Sequence, residues 1–184
     1  MPKLMKDGTR VTLTIATDGL PTDAFGVGGS AANEEFANTL GSLAGLPVWV
    51  VIRLCTDDVN IVDFYNSLDS SLELSMDVLD DFFGEAQEVH GHTNQWLSYG
   101  MPLQRFREGG FRSRLADLLD ERPLTRDELR DFAGLMFGEA NVMDGLPDPQ
   151  TDWKGFRTEI NRLQEHEALV YNPITKKMAP WMSL

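Results

Sequence analysis

Two near-continuous apolar runs, with an amphipathic stretch between them, constrain this chain more than any other feature. The first is Val11-Thr-Leu-Thr-Ile-Ala-Thr17, which runs directly into Asp18-Gly19. The second is Leu46-Pro-Val-Trp-Val-Val-Ile-Arg-Leu-Cys55, which ends in Thr56-Asp57-Asp58. Runs rich in β-branched residues and bounded by turn formers read as strands, and an unbroken apolar run marks a strand covered on both faces. Between them, Ala31 to Ala44 sets Phe36, Leu40 and Leu43 along one helical face, with Gly45 as the C-cap candidate. Strand, crossover helix, strand predicts two parallel neighbours in one sheet, with Trp49, Val51 and Ile52 largely buried.

Further along, a short helix fits 58–67, with Val59, Val62 and Phe64 or Tyr65 turned inward. Glu73 to Ser75 reads as a brief strand, followed by a helix over about 77–89 whose acidic start, Asp77-Val-Leu-Asp-Asp81, complements the helix dipole. The pattern then breaks up around His90, His92 and Asn94, and 94–107 is irregular and aromatic-rich. Helical pieces fit 110–119 and 125–137, the second opened by the capping-box pattern Thr125-Arg-Asp-Glu128. Gly145-Leu-Pro-Asp-Pro149 is a breaker, a further helix reaches about His166, and the tail reads as a hairpin turning at Asn172-Pro173. The expected organisation is therefore an α/β unit over 1–93 and a mainly helical extension over 94–184 that ends in a hairpin.

The 184 residues carry a formal net charge of -13. Nonspecific nucleic-acid binders and adhesives for anionic lipid need clustered Lys and Arg, so both classes are set aside. The same charge suits solubility and basic or cationic partners. No apolar stretch is long enough to span a bilayer. Cys55 is the single cysteine, which rules out an internal disulfide and points to a reducing, intracellular and cytoplasmic setting.

The order Ile15-Ala-Thr-Asp-Gly19, polar loop, amphipathic helix, then Leu46 to Cys55 resembles the second half of a von Willebrand factor A-like domain. The resemblance covers roughly the first half of the chain. It implies a doubly wound parallel sheet, present here in part, with a metal-ion-dependent adhesion site above it. Asp18 matches the late aspartate of that site, the one in its Thr-Asp-Gly element. The family's Asp-x-Ser-x-Ser element has no counterpart ahead of Asp18, and its middle threonine ligand is missing as well. Asp69-Ser-Ser-Leu-Glu73 is the nearest approach and fails the pattern. A sheet lacking its leading strands is expected to leave an unpaired edge, to be covered by another chain or by the segment after about residue 90.

Asp18 and Asp23 flank Thr22 in one loop and are the candidate metal ligands, an incomplete oxygen site for weakly bound Mg2+ or for no ion. Gly19 is read as permitting the tight turn that aims Asp18. Asp18 could equally cap its own turn, and Asp57 and Asp58 could equally cap a helix. His90 and His92 do not share a helix face and read as a loop pair. Cys55 reads as a small core residue. Gly26-Val-Gly-Gly-Ser30 precedes a helix but has no lysine, and reads as a flexible loop in preference to an anion cradle. Trp153, Phe156, Tyr171 and Trp181 form either a peptide groove or the core of the extension.

No complete catalytic constellation stands in the chain. The expected function is therefore a noncatalytic protein-binding or scaffolding module, with a vestigial or partner-completed adhesion site and a protein partner or self-association. The rivals are a magnesium-dependent hydrolase or phosphoryl-transfer enzyme using Asp18, Asp23 and Asp57, and a structural subunit of a larger assembly.

Overall fold

A computed structural model describes residues 10–91, 93–111, 113–138 and 145–184. It is a mixed α/β fold with a three-stranded parallel sheet, a two-stranded hairpin and, among the described residues, seven helices. The chain divides into two compact units, the first formed by residues up to 81 together with 106–111, the second by 82–105 and the residues after 112.

In the first unit β1 (Val11–Thr17), α1 (Ser30–Gly41), β2 (Val48–Leu54), α2 (Val59–Ser71) and β3 (Met76–Leu79) follow in order. The strands lie side by side as β1-β2-β3, all parallel, with Val11 beside Val48 and Val50 beside Met76. The predicted parallel pairing of the two apolar runs therefore holds. Val51 and Ile52 are fully buried and Trp49 is largely buried, as expected.

The two faces of this sheet differ. On one, Val50, Ile52, Leu54 and Met76 pack with Leu40 of α1 and with Tyr65 and Leu68 of α2. Burial of each such side chain stabilises the fold by about 1.5–3 kcal/mol. The other face carries Thr12, Thr14, Arg53 and Asp77 together with Ala16, Trp49 and fully buried Val51 and Leu79. Burial of β2 on both faces, expected from the unbroken run, therefore holds, although this second face is mixed in polarity.

Residues 106–111 cross that face and match its polar side chains chemically. The Thr14 hydroxyl donates to the Glu108 carbonyl at 3.1 Å. Arg53 Nε lies 2.6 Å from Glu108 Oε1, an ion pair whose N–H is not aligned for a hydrogen bond. Arg107 Nη2 sits 3.8 Å from Asp77 Oδ1. Gly110, at φ +79, comes so close to Thr12 that a Cβ there would lie 2.5 Å from its methyl carbon. Both the backbone angle and the close approach require glycine.

This packing also explains a correction. Asp77 to Asp81 does not open a helix, because Met76–Leu79 is β3 and the next helix begins only at Phe82. Asp77 is tolerated mid-strand because Arg107 faces it.

In the second unit α3 (Phe82–Gly91), α4 (Met101–Glu108, whose last residues belong to the first unit), α5 (Arg114–Glu121), α6 (Arg126–Phe137) and α7 (Trp153–Gln164) precede the hairpin of β4 (Val170–Asn172) and β5 (Lys177–Ala179). The Thr125 capping box forms as read: the Thr125 side chain accepts from the Glu128 N–H and the Glu128 carboxylate accepts from the Thr125 N–H. Arg122 also hydrogen-bonds Glu128, and these bonds hold its carboxyl down at about 2. Trp153 stacks on fully buried Phe156, and Trp181 packs against the same core, so three of the four aromatics are core. Tyr171 stays about half exposed at 47 %.

Candidate functional site

The C-terminal ends of β1 and β2 carry the acidic groups singled out from the sequence. After β1, the Thr17 hydroxyl donates to the Gly19 carbonyl at 3.0 Å and accepts from the Gly19 N–H at 3.3 Å. The same carbonyl accepts the Tyr65 hydroxyl of α2 at 2.9 Å. Burial pushes the Tyr65 phenol up, with the Thr17 hydrogen bond opposing, so the ring stays neutral and remains a donor. The turn at Asp18 is thereby fixed on both sides, and the Asp18 side chain is exposed.

The lack of a side chain at Gly19 has no part in this. The residue's φ lies outside the left-handed region and a Cβ would meet nothing within 4 Å. The reading that Gly19 permits this turn by its conformational freedom is corrected, since hydroxyl bonding shapes it and the backbone there is open to any residue. Tyr65 was legible only as one of two inward candidates, because nothing local marks a hydroxyl that reaches 46 residues back.

Asp23 is already engaged. One carboxylate oxygen accepts from the N–H groups of Phe25 and Val27, each at 2.8 Å, and closes the loop in which Thr22 bridges Gly28. Gly26 and Gly29 in this loop have φ +78 and +127, and Gly29 is the N-cap of α1. Asp58 caps α2 by accepting from Asn60 N–H at 2.9 Å. Asp57 stands exposed near Asp80, whose carboxyl is pushed up by burial and by the like charges of Asp81 and Asp57.

Asp18, Asp23 and Asp57 therefore do not form a three-ligand group. Among the described residues the one set of three carboxylates within 4.8 Å of one another is Glu85, Glu88 and Asp120 in the second unit, which the sequence did not suggest. Glu85 and Glu88 lie one turn apart on α3 and Asp120 comes from α5, so only the fold assembles them. Each of the three has further interactions of its own.

His90 lies in the last turn of α3, and His92 falls outside the described residues. Cys55 is exposed, because β2 ends at Leu54 and the next residue turns outward, so the core reading is corrected. Asn94 is a buried structural residue that the sequence did not distinguish from loop. Its amide donates to the carbonyls of Leu119 and Arg122, and its oxygen accepts from Trp96 Nε1 and the Leu124 N–H, which uses its hydrogen-bonding capacity in full. Among the described residues no helix is long and apolar enough to cross a membrane. Comparison with protein-family models, curated proteins and solved structures finds no match to this chain.

Proposed function

We propose that this chain is a noncatalytic protein-binding module, similar in its first unit to the second half of a von Willebrand factor A-like domain, with an adhesion-type metal site that is incomplete in this chain. The observation that supports it is the turn at Asp18: Thr17 and Tyr65 fix the backbone so that an exposed carboxylate stands at a parallel strand end. In open parallel sheets that end is where ligands bind. Asp23, the second candidate ligand, is committed to closing its own loop, which leaves one exposed carboxylate where Mg2+ needs near-octahedral coordination.

Calorimetric titration with Mg2+ or Mn2+ tests the reading. Binding weaker than millimolar is expected, unchanged by Asp23→Ala. Submicromolar affinity that disappears in Asp18→Ala would establish a complete metal site and overturn it.

A further inference from the structure

Resting on the binding-module reading, we propose that the outer edge of β1 is the docking site, and that its occupant is an extended, basic segment of a partner protein added as a further strand. β1 is the outermost strand of its sheet, and among the described residues it pairs only with β2. The ladder shows which groups are left over. The Val11 N–H donates to the Pro47 carbonyl and the Cys55 N–H to the Thr17 carbonyl, so the odd-numbered residues of β1 bond to β2. In a parallel ladder the alternate residues then point both backbone groups the other way. Those residues are Thr12, Thr14 and Ala16, and all three are exposed.

Natural edges are usually blunted by lysine, proline, a bulge or an inward charge. Val11–Thr17 contains no charge and no proline, and its register against β2 is unbroken. Residues 106–111 do not blunt it either, since they meet the side chains of Thr12 and Thr14 and form no ladder with this strand. On the helix-covered face Val11 and Leu13 remain 41 % and 39 % exposed, an apolar strip beside which the side chains of an added strand can lie.

Charge selects the occupant. Over the described residues of the first unit, thirteen Asp and Glu stand against three basic residues, Arg10, Arg53 and Arg107. Arg53 is itself turned onto the second face of the sheet and paired with Glu108. The first unit thus carries a marked excess of negative charge, which attracts a Lys- or Arg-bearing segment. A second copy of this chain would bring the same net charge of -13 and be repelled.

The test uses a synthetic peptide, Thr-Val-Thr-Val-Thr flanked by two lysines at each end, added to the full chain in EDTA. Saturable binding by fluorescence anisotropy is expected, with slowed amide exchange at Thr12, Thr14 and Ala16. Thr14→Pro removes an N–H that the sheet does not use, so the fold should persist while affinity falls at least tenfold. If that variant melts early, Ala16→Lys serves in its place, adding a like charge against the peptide and keeping the N–H.

Equal binding by a peptide of the same charge with prolines in its centre would overturn strand addition. Equal binding by the glutamate-flanked peptide would overturn the basic partner. Loss of a light-scattering dimer in Thr14→Pro would make a second copy the occupant. Failure of every peptide in EDTA sinks the edge proposal alone, whereas the metal titration decides the binding-module reading independently.

Discussion

β1 and β2 are drawn from the same apolar and β-branched alphabet and are hydrogen-bonded side by side over seven residue pairs. Leu13 and Val50 are direct partners in that register on the same face of the sheet, yet Leu13 is 39 % exposed and Val50 is fully buried. Composition made both segments strands. Position decided what each strand is for, since among the described residues β2 has a neighbour on each side and β1 has one. A strand that holds the sheet together and a strand left available to a partner can thus be written in nearly the same residues.

The sharpest way to break this contrast is to place one charge on each side of the pair. Val50→Asp puts an unpaired carboxylate into the core and should destabilise by more than about 4 kcal/mol, enough to unfold the unit. Leu13→Asp should cost under about 1 kcal/mol by urea denaturation. Comparable losses would show that β1 is as buried in solution as β2.

A smaller effect probes how the free strand is anchored at its end. Tyr65→Phe removes one of the hydroxyls on the Gly19 carbonyl, leaves the ring packing against Phe36 and Phe64, and should cost about 1 kcal/mol. Faster amide exchange at Asp18 and Gly19, with none at Val50, would place the loss at the turn. The smallest change is Gly19→Ala, expected within about 0.5 kcal/mol of the parent because the site is open and the backbone unstrained. A larger loss would mean that the turn needs glycine after all.

These same residues show how far the sequence could be read. The strands, the helices that follow them and the Thr125 capping box were legible because each depends on neighbours within a few positions. β3 was misplaced because Asp77, Asp80 and Asp81 look locally like the start of a helix, and the partner that makes Asp77 acceptable in a strand stands thirty residues on, at Arg107. Cys55 was misplaced by a single step past the end of β2. At the candidate site Asp18 was correctly put at a strand end, and turn-capping was weighed for it. The residue that caps its own loop is Asp23. What fixes the Asp18 turn, the Tyr65 hydroxyl, lies on another element, and no local pattern encodes it. The Glu85, Glu88 and Asp120 group was invisible for the same reason, since two helices must pack before it exists.

The route of residues 106–111 has a consequence for how the protein is made. On a ribosome all three strands of the sheet have been synthesised once Leu79 is added, yet Arg53 and Asp77 still face solvent. Arg107 and Glu108 reach them only after the intervening residues 82–105 have been translated. The first unit therefore cannot finish ahead of the chain that interrupts it, as N-terminal domains ordinarily do. The two units are interleaved along the chain, so a nascent chain halted before residue 106 would present a sheet whose Arg53 and Asp77 are unanswered.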